Sequence, residues 1–128
     1  MHIRLLQLLC ALLFGMWANA TVYYLSPSGS DTNNGTSTST PWKTIARLVQ
    51  SISSVQPGDQ ILFARGGTFR GDLTVPNSGT SSAPITVGAY GTGADPIISG
   101  SVLVTGWTVH SGSIYKATVS SAVKNVFV

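Results

Sequence analysis

Residues 60–99 read QILFARGGTFRGDLTVPNSGTSSAPITVGAYGTGADPIIS, and within them a short motif returns at a constant interval. The pairs Ile61/Phe63, Leu73/Val75, Ile85/Val87 and Ile97/Ser99 begin twelve residues apart, each pair separated by one residue so that both members share a strand face. No window here places apolar residues three and four apart, as a helix requires, and Gly, Pro and Asn fall between the pairs as turn punctuation. The pattern predicts four short strands at fixed pitch, the rhythm of a β-solenoid whose repeats bury their faces only by stacking. Two steps of the pitch bring Ile61 beneath Ile85 and Leu73 beneath Ile97, which makes the first strand pair in parallel with the third. The rival is an antiparallel meander. It favours Asn-Gly or Asp-Gly hairpins, and none of the three intervals contains one.

Working outward toward the amino terminus, Pro57-Gly58-Asp59 reads as a turn, and a helix precedes it. The helix is expected from a Thr40 cap, with Pro41 in its first turn, to about Ser53, with Ile45, Leu48, Val49 and Ile52 as its apolar stripe. Laid across the start of a solenoid, that stripe would cover an open hydrophobic end and its unpaired strand edges. Residues 26–40 form a polar loop in which Asp31, Asn33 and Gly35 loosely match a calcium loop, but the later bidentate acid is missing and an Asx-type turn is the better reading. Asn34-Gly35-Thr36 fits a glycosylation acceptor in a host that glycosylates. Thr21 to Leu25 is a predicted strand.

The first twenty residues carry Arg4, an apolar run from Leu5 to Trp17, and Ala18-Asn19-Ala20 in the small-x-small form that signal peptidases cut. The run is short for a bilayer span of about 20 residues, so residues 1–20 read as a secretory signal and the product as secreted, extracellular or periplasmic, with no membrane attachment after cleavage. Cys10 lies inside that segment without the small residue that precedes a lipid-modified cysteine. Residues 21–128 then hold no cysteine and no glutamate, with six basic side chains against four aspartates. Folding without disulfides or thiolate metal sites follows. The weak, scattered positive charge allows an acidic polymer as partner and lacks the basic run of a nucleic-acid binder.

Beyond Gly100, Val102 to Thr108, Ile114 to Val119 and Val123 to Val128 are β-prone, with Trp107 and Tyr115 expected as packing anchors. An apolar last strand without turn or cap reads as an interrupted solenoid, so residues 21–128 are expected to be the amino-terminal cap and first coils of a longer domain.

Several runs now carry a family resemblance: Tyr23-Tyr24-Leu25-Ser26-Pro27-Ser28-Gly29-Ser30-Asp31, Pro41-Trp42-Lys43-Thr44-Ile45, Gln56-Pro57-Gly58-Asp59, Gly66-Gly67-Thr68-Phe69 and Ala83-Pro84-Ile85-Thr86-Val87-Gly88-Ala89-Tyr90. They resemble the opening of secreted right-handed parallel β-helix proteins of the pectate-lyase-like superfamily, many of them polysaccharide lyases. The resemblance implies an all-β, right-handed parallel β-helix (solenoid), here an amino-terminal fragment with a capping α-helix. It also implies an extracellular polysaccharide, acidic in the lyases, as partner. The expected chemistry is lyase-like β-elimination: calcium or a basic side chain neutralises a uronate carboxylate while Lys or Arg removes the adjacent proton. That chemistry belongs to middle coils, so no catalytic, cofactor-binding or metal residue is assigned in this chain. Calcium is expected only in a full-length parent, and the fragment itself is expected to be inactive.

The remaining candidates are weak. Asp72 and Asp95, twenty-three residues apart, would approach each other if one coil is about that long, as a cation site or carboxylate pair, although both sit in turn contexts. His110 has no Ser, Cys or acid in triad spacing and reads as a surface turn. Lys43, Arg47, Arg65, Arg70, Lys116 and Lys124 read as solvating charges rather than a base or uronate clamp, and Gly66-Gly67 and Gly91-Thr92-Gly93 as corners rather than phosphate loops. Three non-lyase readings stay open: a glycoside hydrolase as the full-length parent, a non-enzymatic surface β-solenoid for adhesion or glycan binding, and a self-contained carbohydrate-binding module. No oligomeric state follows.

Overall fold

The computed structural model describes residues 19–119. The described residues are mostly strands with one short helix, which is consistent with an all-β chain. In chain order the elements are β1 (Val22–Leu25), α1 (Ile45–Ser51) with a 3-10 turn (Ile52–Ser54), β2 (Gln60–Ala64), β3 (Thr68–Arg70), β4 (Thr86–Tyr90), β5 (Ile97–Ser99), β6 (Thr108–Ser111) and β7 (Ile114–Lys116).

The pairing expected of the repeat holds in its direction. β2 lies between β1 and β4, parallel to both, and β3 pairs in parallel with β5. The antiparallel meander is excluded for residues 60–99. The register is corrected: Ile61 faces Val87, not Ile85, and Phe63 faces Ala89. Ile85 drops out of the ladder because Pro84 before it has no N–H to contribute, and the strand starts only at Thr86, whose N–H reaches the Asp59 carbonyl at 3.0 Å. The second correction concerns Leu73/Val75, which form no strand. Phe69 takes the inward place, opposite Ile98, and Gly71 at φ 133° turns the chain away after its N–H bonds the Ser99 carbonyl. Leu73 and Val75 instead pack half-buried against the core with Ile85.

The helix begins four residues later than the pattern predicts. Trp42 is drawn into the β-structure instead: it bridges in parallel to Leu25, its N–H bonds the Tyr24 carbonyl at 2.9 Å and its carbonyl accepts from Ser26 N–H at 2.8 Å. Thr44, at φ −120° and ψ 152°, therefore becomes the N-cap, its hydroxyl accepting from Arg47 N–H at 3.1 Å. Ile45, Leu48 and Ile52 turn inward as predicted, whereas Val49 is exposed. With Leu25, Trp42, Val55, Ile61, Phe63 and Phe69 they form the core, and Phe63 meets Phe69 edge to face at 4.9 Å.

β6 and β7 are antiparallel and, among the described residues, pair only with each other, with an irregularity between Val109 and Ser111. Trp107 and Tyr115, expected as anchors, are more than half exposed. Val123 to Val128 and the segment Met1 to Ala18 lie outside the described residues. Among the described residues no helix is long and apolar enough to cross a membrane.

Candidate functional site

The four aspartates separate into two that hold the fold, Asp31 and Asp59, and two that are exposed, Asp72 and Asp95. Asp31 accepts from the Lys43 and Thr44 N–H groups, both at 2.9 Å, and from the Thr44 hydroxyl at 2.8 Å, while Arg47 Nε reaches its carbonyl at 3.1 Å. Burial pulls its carboxyl upward, but the Thr44 hydroxyl, the two N–H donors and the Arg47 charge outweigh that and hold it below the ordinary carboxylate range. Lys43 and Arg47 thus flank a cap rather than a ligand. Asp59 is buried and accepts from Thr21 N–H at 2.7 Å and Gln56 N–H at 2.8 Å. Neither carboxylate is left to bind calcium, and no group of three His, Cys, Asp or Glu exists among the described residues. The residues present do not fit the calcium that the resemblance implies.

Asp72 and Asp95 do not meet as a pair. Asp95 ion-pairs with Arg65, whose guanidinium also touches the Gly93 carbonyl at 3.5 Å, whereas Asp72 lies against Gly100. What the fold does bring together are two exposed polar groupings beside paired strands. Arg65 and Asp95 form one. Arg70 forms the other, donating to Ser101 Oγ at 2.7 Å, with Ser99 and Ser101 hydroxyls in turn 2.7 Å apart. Arg70 and Ser99 are register partners, and this is why one strand's base and the next strand's hydroxyl share a face. The Arg65–Asp95 partnership was hidden in the sequence because it depends on the true return of the chain, 26 residues from Gln60 to Thr86 and 29 from Thr68 to Ile97, not on the twelve-residue echo.

On the outer face of the three-stranded sheet, Tyr24 and Tyr90 reach across β2 and meet edge to face at 5.1 Å. Burial, together with the neighbouring Tyr24, pushes the Tyr90 phenol above its ordinary value. A groove of about 400 Å³ runs beside β4, lined by Val75, Asn77, Thr80, Pro84, Ile85 and Val87. It holds no titratable side chain, so it offers shape and hydrogen bonds rather than acid–base chemistry. His110 is exposed on β6, in a strand rather than the expected turn, and Lys116 is exposed on β7. Lys124 lies outside the described residues. Asn34 is exposed, but its carbonyl oxygen accepts from Thr36 N–H and the Thr40 hydroxyl in an Asx-type turn. Taken together these groups offer hydroxyls, amides and aromatic faces; among the described residues no acid and base are seen to line the groove beside β4.

No family model matches the chain. It is 38% identical over 53 residues to a lacto-N-biosidase of Bifidobacterium longum subsp. longum, a stretch covering 41% of this chain and 3% of that protein. A solved GH136 lacto-N-biosidase from Eubacterium ramulus matches at TM-score 0.54 and 38% identity, over 59% of this chain and 12% of that one. The likeness is to carbohydrate-active enzymes. XylC, solved in complex with xylose, matches at TM-score 0.57 and 26% identity, over 74% of this chain and 14% of its own. The chain therefore spans only a small part of the length of each of these proteins.

Proposed function

We propose that residues 21–128 form the amino-terminal cap and first coils of a secreted right-handed parallel β-helix protein that acts on extracellular polysaccharide. The observation that carries this reading is the pair of parallel ladders, β1–β2–β4 and β3–β5, each closed by a non-helical return of fewer than thirty residues between β2 and β4 and between β3 and β5. Parallel strands joined without helices, alternating between two sheets, are what successive turns of a solenoid produce, and right-handed crossovers are strongly favoured by strand twist. α1 then acts as the lid. Its buried Ile45, Leu48 and Ile52 close the first turn against Leu25, Ile61 and Phe63.

The 38% identity to two lacto-N-biosidases supports a glycan-cleaving parent and favours hydrolysis over the β-elimination that the lyase resemblance implies. In this reading the described residues contribute recognition and scaffold: Asp31, Asp59 and Asp95 are committed to partners, and Asp72 lies exposed against Gly100. Any acid pair, base or calcium site belongs to residues outside 19–119. The test is to incubate the full-length product with a panel of neutral and acidic glycans, reading new reducing ends and ultraviolet-absorbing unsaturated ends separately. Reducing ends alone are expected. Unsaturated ends would make the parent a lyase, and no release from any glycan would leave a non-enzymatic solenoid.

A further inference from the structure

Asp59 is a buried carboxylate whose position explains itself only in part. The turn Gln56-Pro57-Gly58-Asp59, closed by Asp59 N–H to the Gln56 carbonyl at 3.0 Å, supplies a reason for one of its oxygens: Oδ2 accepts from Gln56 N–H at 2.8 Å. The other oxygen crosses to a distant part of the chain, where Oδ1 accepts from the main-chain nitrogen of Thr21 at 2.7 Å. Asp59 is 3% exposed, and the Arg65–Asp95 pair is the ion pair among the described residues, so no basic side chain answers its charge there. A buried carboxylate without a cation is costly, and main-chain N–H groups compensate it incompletely.

Thr21 is also the first residue after the predicted signal. Ala18-Asn19-Ala20 precedes it in the small-x-small form, Asn19 and Ala20 are exposed, and Thr21 is already tied to β2, its carbonyl accepting from Gln60 N–H at 2.9 Å. The geometry points to a maturation lock: cleavage after Ala20 turns the Thr21 nitrogen into an α-ammonium held against the buried Asp59 carboxylate. The step balances simply. A signal peptidase adds water across the Ala20–Thr21 amide, the hydroxyl going to the Ala20 carbonyl carbon and a proton to the Thr21 nitrogen. The new acid's proton then completes the ammonium at neutral pH. An amide-to-carboxylate hydrogen bond becomes a charge-assisted ion pair at the same place, stronger because both partners are ionised. The precursor lacks this pair and the processed chain has it, so the first turn of the fold is tightened only after export.

This inference rests on the export reading and is independent of any glycan chemistry. The charged and titratable groups facing the new ammonium are Asp59 from the turn and Tyr23 from β1, whose phenol is raised by burial and by the Asp59 charge. An ammonium that gains a carboxylate partner titrates above the ordinary α-amino value of about 7.7–8.0, whereas one merely buried titrates below it. The sign thus separates a lock from simple packing. Its stabilisation is full below the unfolded α-amino value and disappears as pH rises through the folded one.

The experiment takes the exported full-length product, reads its first residue by intact mass, and measures the pH midpoint of α-amine acylation in the folded and denatured states. Expected are a chain starting at Thr21 and a folded midpoint higher than the denatured one by about one pH unit or more. Asp59→Asn removes the rise. Because that variant can also weaken the turn, a second one inserts Ala between Ala20 and Thr21, leaving Asp59 and the Thr21 amide in place while moving the ammonium outward by one residue. It should melt cooperatively with an ordinary midpoint. A product beginning elsewhere, or a Thr21 midpoint at or below the denatured value, overturns the lock. Failure of the glycan assay touches neither reading.

Discussion

Residues 21–75 are poorer in strand-forming apolar side chains than residues 97–116, yet of the two only residues 21–75 supply a buried core. Among the described residues every buried apolar side chain of the core falls between Leu25 and Phe69. In the second region Ile97, Leu103, Trp107, Val109, Ile114 and Tyr115 are all more than half exposed. The difference is coverage rather than hydrophobicity. β2 has a strand on either side and α1 sharing its core, whereas β6 and β7 have only one another among the described residues, and a lone two-stranded hairpin is marginal in water. An apolar rung becomes core when its neighbours arrive from both directions.

The contrast can be broken most severely at its centre. Phe63→Ala removes the ring that meets Phe69 and is expected to cost about 3–5 kcal/mol, read as a fall in thermal midpoint or loss of cooperative melting. Next in size is Gly35→Ala. Gly35 sits at φ 73°, and an added Cβ would fall 2.3 Å from the Trp42 ring, which is held by stacking on Tyr23 at 5.3 Å and by Nε1–H to the Asn33 carbonyl at 2.8 Å. A ring fixed on both sides cannot retreat, so a loss of at least about 2 kcal/mol is expected in chemical denaturation.

A smaller effect sharpens the comparison by pH. Because Asp31 titrates below its unfolded value, its contribution is complete above an unfolded pKa of about 3.9 and is lost as pH falls through the folded one. Asp31→Asn should therefore flatten the acid end of the stability profile, measured by melting between about pH 2 and 5, while the neutral end drops modestly. An unchanged acid slope would mean that the cap contributes nothing. The smallest effects belong to the exposed region: Val109→Ser and Arg65→Ala should each change stability by no more than about 0.5–1 kcal/mol. Should Val109→Ser match Phe63→Ala in a calorimetric scan of residues 21–128, the hairpin would be core and the contrast false.

Legibility in the sequence followed the range of the physics involved. β1 was readable from Val22-Tyr23-Tyr24-Leu25, and the inward stripe Ile45, Leu48, Ile52 from its spacing, because both express local preference. The start of α1 was not. Pro41 and Thr40 make a plausible helix opening, and only the Trp42–Leu25 bridge, across seventeen residues, overrides it. Phe69 was passed over for Leu73/Val75 because the twelve-residue echo favoured evenly spaced pairs, while the actual ladder needs strands cut where Gly71 turns and where Pro84 and Pro96 withhold an N–H. Of the outward-facing groups, the residues were visible and their partnerships were not. Arg65 with Asp95, Arg70 with Ser101 and Tyr24 with Tyr90 each join positions thirty to sixty-six residues apart.

From the order of residues alone came the strand-rich composition, the parallel sense of the 60–99 repeat, the cysteine-free body and the small-x-small site ahead of Thr21. These depend on intrinsic preference and on spacing along the chain. Tertiary structure alone decided which rung lies on which, that Asp59 points back to Thr21, and that Trp42 is β-structure while Trp107 is left in solvent. Register and burial are settled by the lowest free energy of many simultaneous contacts, and a contact between distant residues has no counterpart in any short window of sequence.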